Sequence, residues 1–331
     1  MSLKKVVASL RKNKSFLITT HTNMEGDALG SELAFYGILK KLGKKATIVN
    51  EDALPYGYEF LPNTDKIIKY KDNLKEIKFD CFVALDCSDL SRTGEVYRLN
   101  SGEKPILNID HHISNQKFGN INWVEPHASS CSEMIYKLYK ALRLPLDRDT
   151  AILLYTGILT DTGSFRYTNV TSFTHRAVSE LLRFNLDVPR IYNSVYENIP
   201  FDDMKLLIRI LPCLRREAKG RVVWFQIKHN MLRSRKLSFD LSEHILSFGR
   251  VIKDAEVVAL FKENLGVKNE IRVNLRSQGK VDVNRIALFF GGGGHNTASG
   301  ATVKGNIDQV RRRVLAKIKE NLKGTVPAAD S

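Results

Sequence analysis

Over residues 1–185, short apolar or β-branched runs alternate with longer stretches whose apolar positions recur at helical spacing. That alternation predicts a parallel sheet with crossover helices, and so an α/β fold. Strands are predicted at 16–20, 46–50, 79–86 and 105–110. Helices are predicted at 28–41, where Leu29, Leu33, Tyr36 and Leu39 fall on one face, and at 130–142, 149–160 and 172–184. Residues 1–14 alternate apolar and basic positions without the continuous apolar core of a signal peptide, and read as an amphipathic first helix.

Pro189, Pro200 and Pro212 punctuate 186–213, and each biases the residue before it away from helix. A linker holding one helix, at about 201–210, is the reading. Beyond it, 221–228, 256–261 and 270–277 read as strands and 283–290 and 307–322 as helices. The expected organisation is a mostly parallel N-terminal domain at 1–185, a smaller α+β domain at 214–323, and a flexible tail at 324–331. A chain of 331 residues suits two domains of ordinary size.

Composition narrows the class. A hydrophobic share of 43% beside 26% charged residues belongs to a globular protein, and no apolar run reaches the roughly 20 residues of a membrane span. A cytoplasmic location is expected. Cys81, Cys87, Cys131 and Cys213 show no C-x-x-C spacing and read as reduced thiols. The net charge of +15 is uneven: 201–331 holds 25 Lys and Arg against 13 Asp and Glu, whereas 1–200 holds 26 against 23. Such asymmetry points to an anionic partner for the C-terminal half, against the simpler reading of a soluble basic surface.

The chemistry gathers at strand ends. Asp110-His111-His112 closes the apolar run 105–109, and three ionisable side chains there are costly unless a cation compensates them. Neighbouring side chains of an extended segment point opposite ways, so His111 and His112 can take different jobs. His21, Glu25 and Asp27 follow the first strand, Asp86 the third, and Asp161 a later apolar run. Imidazole with carboxylate suits a divalent ion of the Mn²⁺ type, and two such ions ~3.5–4 Å apart are a device for phosphate-ester hydrolysis. The competing reading is capping, with Asp27 or Asp86 accepting backbone N–H bonds.

In the C-terminal half, Gly291-Gly292-Gly293-Gly294-His295 can aim several backbone N–H groups at an anion, but no Gly-Lys-Ser/Thr follows as in a P-loop. Arg272 and Arg276 share one side of their strand and could offer guanidinium forks to a phosphate. A flexible turn and a solvated strand face are the plainer alternatives.

Taken in order, His21-x3-Glu25-x-Asp27, Asp86, Asp110-His111-His112 and Asp161 resemble the four motifs of the DHH phosphoesterase superfamily. Arg276 and the 291–295 loop resemble the DHH-associated C-terminal domain. The combination is similar to the NrnA family of nano-RNases and 3′-phosphoadenosine-5′-phosphate (pAp) phosphatases. That resemblance implies an active site in the cleft between two domains. His21, Glu25 and Asp86 would bind one Mn²⁺, and Asp27, Asp86, His111 and Asp161 a second, with Asp86 bridging; Mg²⁺ or Co²⁺ are alternatives. His112 would face the scissile phosphate, while Arg276, Gly292, Gly293, Gly294 and His295 would hold the substrate. The substrates implied are short single-stranded RNA or DNA oligonucleotides and pAp, with linear dinucleotides, pyrophosphate or a non-catalytic nucleotide-binding role as alternatives, no membrane partner, and a homodimer left open. One departure stands out: the family usually has Pro-Asp where this chain has Met24-Glu25.

Overall fold

The computed structural model describes residues 2–72, 74, 77–101, 103–232, 241–263, 267 and 269–323. The chain divides into two compact units, 1–198 and 199–331. The expected tail at 324–331 lies outside the described residues.

In the first unit, α1 (Ser2–Lys12), β1 (Ser15–Thr19), α2 (Gly26–Lys41), β2 (Lys45–Asn50), β3 (Ile67–Lys69), β4 (Cys81–Leu85), β5 (Ile106–Asp110) and β6 (Ile121–Val124) lead into α3 (Cys131–Leu142), α4 (Arg148–Asp161), α5 (Ser172–Leu182) and α6 (Val188–Tyr196). A 3₁₀ segment, Leu90–Asn100, lies between β4 and β5. The six strands form one parallel sheet in the order β3-β2-β1-β4-β5-β6. The order reverses beside β1, and in open α/β sheets ligands bind beyond the strand C-termini at such a switch point.

Period-two alternation sorts the strand residues. Phe16, Ile18, Ile48, Val83, Leu85, Leu107 and Ile109 enter the large core with α2, α3 and α4. Leu17, Val49, Phe82 and Ala84 enter a smaller one on the other face with Val96 of the 3₁₀ segment. Register then aligns the chemistry. Thr19 pairs with Ala84, and Ala84 with Asn108. His21, Asp86 and Asp110 each lie two residues further along their strands, so the sheet delivers all three at one level.

The second unit contains α7 (Phe201–Ile210), β7 (Arg215–Glu217), β8 (Val222–Ile227), α8 (His229–Leu232), α9 (Ser242–Arg250), β9 (Val257–Glu263), β10 (Glu270–Ser277), α10 (Val283–Phe289), β11 (Gly293–Gly294), β12 (Ala298–Lys304) and α11 (Ile307–Lys323). Its sheet runs β11-β12-β10-β9-β8-β7, antiparallel except for the parallel β8–β9 pair. Ile271, Val273 and Leu275 pack with α10 and α11. Val258, Leu260 and Phe225 pack on the other face with α7 and α9.

The stretch expected to be a linker with one helix holds two. Pro189 sits in the first turn of α6, where a missing N–H costs nothing, and Asp187 caps that helix by accepting from Arg190 N at 3.1 Å. Ile191 of α6 belongs to the first unit's core, whereas Leu206, Leu207 and Ile210 of α7 belong to the second unit's. Strand β12 escapes the reading by periodicity, because Gly300 and small residues interrupt its apolar alternation.

Helices α2 and α4 approach closely through glycines. A Cβ at Gly30 would collide with the Leu153 carbonyl oxygen and crowd Gly157 N at 3.2 Å. We expect Gly30→Ala to destabilise the protein: overpacking against a fixed backbone atom typically costs ~1–3 kcal/mol and outweighs the ~1 kcal/mol propensity gain of Gly to Ala. A urea midpoint equal to wild type would show that the crossing has room.

Candidate active site

Each ligand-type side chain is set by a backbone device. Asp86 follows β4 with φ of +57°, a left-handed conformation that Asp tolerates better than most residues, and donates its N–H to Ile109 O at 3.0 Å. The turn anchors β4 to β5 and brings the Asp86 carboxylate among three imidazoles. His21 Nε2 lies 3.5 Å from Asp86 Oδ2, His111 Nε2 3.4 Å from Asp86 Oδ1, and His112 Nδ1 3.6 Å from the same oxygen.

Asp27 stands in the first turn of α2, but the helix it caps is another one. Its two carboxylate oxygens accept the first amides of α3, from Cys131 at 2.6 Å and Ser132 at 2.8 Å. A carboxylate is stabilised at that positive helix end. His111 Nε2 lies 3.7 Å from Asp27 Oδ2 and 3.5 Å from Asp161 Oδ2, at the end of α4. Ligand atoms of Asp27, Asp86 and His111 fall within 4.8 Å of one another, as do those of Asp86, Asp110 and His112.

The imidazoles are oriented for ligation. His21 Nδ1 is 2.8 Å from Thr22 O and His111 Nδ1 is 3.3 Å from Ala128 O, so hydrogen bonding assigns a proton to each Nδ1 and turns each Nε2 toward the carboxylates. His112 differs: its Nδ1 meets Asp110 Oδ1 at 2.7 Å, and Asn115 Nδ2 donates to Asp110 Oδ2 at 2.6 Å. His111 and His112 thus take separate partners.

The electrostatics are those of a site short of positive charge. Burial and then the Asp86 charge raise the Asp27 carboxyl to about 6. Burial, with Asp27 and Asp86 adding to it against the opposing pull of His111, raises Asp161 to about 7. Burial would raise Asp86 too, but the facing imidazoles of His111, His21 and His112 hold it well below the ordinary range. His111 moves well above its usual value despite burial, because Asp161, Asp86 and Asp27 surround it. Asp86 Oδ1 and Asp161 Oδ2 are buried without a hydrogen-bond donor. Two such carboxylate oxygens beside the Nε2 atoms of two imidazoles fit a divalent cation, which would take the place of a proton there.

In the second unit, Arg272, Asn274 and Arg276 share one face of β10, as period two predicts. Arg276 Nη2 pairs with Glu243 Oε2 of α9 at 2.5 Å. Burial acts to raise Glu243, yet Arg276 holds its carboxyl below the usual value. Gly293 and Gly294 form β11 against Gly300 and Ser299, and His295 N donates to Ala298 O at 2.6 Å in the turn between β11 and β12. A side chain at Gly292 would meet backbone atoms of Gly300 and Ala301.

The domain models agree with this division. The model of the DHH family, N-terminal domain, matches residues 15–158, and that of the DHHA1 domain matches 235–324. A Thermus thermophilus relative named bifunctional oligoribonuclease and PAP phosphatase NrnA is 33% identical over 308 residues, 92% of this chain and 89% of the relative. This chain belongs to the NrnA family. A Bacillus subtilis relative of the same name is 28% identical over 87% of this chain and 89% of its own length. The structure of an exopolyphosphatase-related protein from Bacteroides fragilis superposes with a TM-score of 0.84 at 26% identity, covering 97% of each chain.

The departure of this member from the NrnA pattern has a structural setting. Met24 is buried in the core, and Asn50 Nδ2 donates to its sulfur at 3.1 Å and to Glu32 Oε1 at 2.7 Å. Burial raises the Glu32 carboxyl to about 8. The loop is therefore anchored by apolar packing and an amide where the family usually has proline. Glu25 is exposed at the N-cap of α2 with extended backbone and no side-chain capping bond, outside the converging clusters. Asn115 and Glu243 are the site neighbours that sequence reading did not find, since neither carries a motif and each meets its partner through folding.

Because Asp86 touches both clusters, Asp86→Ala is expected to abolish whatever thermal stabilisation an added divalent cation gives the wild type. That stabilisation is about 2.7 kcal/mol at one hundred times the Kd. A melting shift that survives the substitution would put the ion elsewhere.

Proposed function

We propose that this chain is a divalent-metal phosphoesterase that hydrolyses short oligoribonucleotides to mononucleotides and removes a phosphate from pAp, acting in the cytoplasm. The observation that carries the reading is the convergence of buried Asp27, Asp86 and His111 with half-buried Asp161 beside the strand ends, with two carboxylate oxygens lacking donors, in a chain of the NrnA family.

In this reading His21, Glu25 and Asp86 hold one ion and Asp27, Asp86, His111 and Asp161 the other. Mn²⁺ is the proposed metal, since the donor set mixes imidazole with carboxylate; Mg²⁺ and Co²⁺ are the alternatives. When bound, such ions supply Lewis acidity toward phosphoryl oxygens and a water of lowered pKa. The rest falls to the chain. Asp110, fixed by Asn115, orients the His112 ring and stabilises its charged form. Burial acts against ionisation of Asp110, but His112 holds the carboxyl down at about 2. His112 would then meet the scissile phosphate as a charged hydrogen-bond donor. Arg276, Gly292, Gly293, Gly294 and His295 would position the phosphate or nucleotide.

The decisive experiment is a hydrolysis panel of pAp, RNA dimers to pentamers, a long RNA, a linear dinucleotide from cyclic-dinucleotide turnover, and pyrophosphate, with Mn²⁺ and with excess EDTA. Release of nucleoside monophosphates from short RNA and of phosphate from pAp, both lost in EDTA, is expected. Exclusive pyrophosphate turnover, or nucleotide binding without hydrolysis, would overturn the proposal.

Separate roles imply separate kinetic signatures. Arg276→Ala and His295→Ala should keep wild-type metal content while kcat/KM falls roughly 10–150-fold, the equivalent of ~1.5–3 kcal/mol for a charged hydrogen bond to phosphate. His112→Ala should lower kcat more than it raises KM. Metal analysis with steady-state kinetics on pAp and an RNA dimer checks all three, and wild-type rates in Arg276→Ala and His295→Ala would remove the substrate role assigned to the C-terminal unit.

A further inference from the structure

The basic excess of the C-terminal half has a specific location. A groove of about 300 Å³ is lined by Lys304 and Gly305 at the end of β12 and by Gln309, Val310, Arg312 and Arg313 on α11. Lys304, Arg312 and Arg313 are exposed, and among the described residues none of them is ion-paired with a carboxylate. Arg312 Nε donates to the Asp308 carbonyl at 3.3 Å. Asp308 pairs with Arg311 at 2.8 Å and Glu320 with Lys317 at 2.9 Å, while Glu270 stands opposite Lys304 in the β10–β12 pair. Three clustered cations without a carboxylate in ion-pair contact repel one another around a concave surface and favour a bound anion.

Aromatic surface continues the groove. The Arg313 guanidinium lies 5.7 Å from the Phe290 ring centroid, Phe290 and Phe289 pack edge to face at 5.1 Å, and Lys317 Nζ lies 4.4 Å from the Phe289 ring. Phe289 is 64% exposed and Leu288 beside it 52%. Phe290 directly precedes the glycine loop, and Gly293 pairs with Gly300, four residues before Lys304 on β12. Cations interleaved with an exposed aromatic ring are what single-stranded nucleic acids bind, through phosphate contacts and base stacking.

We infer that Lys304, Arg312 and Arg313, with Phe289, form an accessory binding track for the phosphates and bases of a single-stranded oligonucleotide whose end is held at the 291–295 loop. The track rests on the oligonucleotide reading above and adds a length dependence to it. From Gly300 to Lys304 is about 13 Å along the strand, the axial length of roughly four stacked nucleotides. pAp and a dinucleotide are too short to reach the groove, whereas an octanucleotide spans it.

The test is a Lys304→Gln/Arg312→Gln/Arg313→Gln variant of the full chain, beside a Lys4→Gln/Lys5→Gln/Arg11→Gln control that removes equal charge from α1. Binding of a labelled RNA about eight nucleotides long, read by anisotropy in EDTA over a salt series, should weaken about 10-fold or more in the groove variant, and its salt slope should fall by about 2 for three lost phosphate contacts. pAp and dinucleotide kinetics should match wild type, which also reports that the variant is folded. Phe289→Ala should weaken octanucleotide binding without changing the salt slope. Unchanged octanucleotide affinity in the groove variant, or an equal loss in the α1 control, would overturn the track. A wild type that hydrolyses neither pAp nor RNA would overturn the phosphoesterase reading instead, while the anisotropy series would still decide the track.

Discussion

A buried convergence of carboxylates with too little positive charge is the constraint on which the first unit is built. Asp27, Asp86 and Asp161 approach a single imidazole, His111, that is itself buried. Left to relax, such groups would separate or take up protons, and the raised Asp27 and Asp161 carboxyls show that cost. Rigid elements prevent the separation. Asp86 is locked by a left-handed turn tied to β5, Asp27 by two amides of α3, and α2 by its glycine-mediated crossing with α4. Strain and desolvation of this kind, each worth of order 1–3 kcal/mol, persist where a ligand repays them. The donor set suits a hard or borderline cation that accepts oxygen and imidazole nitrogen together.

The legible part of this arrangement was the part written in local periodicity. Alternation along 16–20, 79–86 and 105–110 located three strands whose ends carry His21, Asp86 and Asp110, and parallel pairing then required those ends to meet. What periodicity could not supply was register, and register decides whether the three residues stand level. Thr19, Ala84 and Asn108 lie opposite one another, so they do. Prolines misled the reading of 186–213 because a helix accepts proline in its first turn, and Pro189 occupies that position in α6. Asn115 and Glu243 were invisible for a different reason. Each matters only through a partner fixed by folding, Asp110 in one case and Arg276 in the other.

The Arg276–Glu243 pair bears on how a phosphate would be received. The Glu243 side chain is 45% exposed and that of Arg276 15%, so the pair is partly screened by solvent and its net worth is small. Its effect is geometric. Holding the guanidinium by Nε and Nη2 fixes its plane, and Nη1 is occupied by the carbonyl oxygen of Leu275. A fork already oriented loses less side-chain entropy on meeting an anion than a free one. The same carboxylate also lowers the attraction of this surface for any anion, and by more for a doubly charged phosphate than for a singly charged one.

Met24-Glu25 carries the comparison one step further. A proline at position 24 would restrict the entry to α2 through its ring; Met24 restricts it through burial, and its sulfur is bonded to an amide that Glu32 also holds. The anchor therefore depends on packing contributed by β2 and α2 rather than on the local backbone. Such an anchor tolerates a longer side chain at position 25, because a loop held by packing can shift by small amounts that a ring would forbid. If Glu25 and Asp27 hold two ions as proposed, the site on the Glu25 side of Asp86 is the more adaptable, and the one held by Asp27, clamped on the first amides of α3, the more rigid.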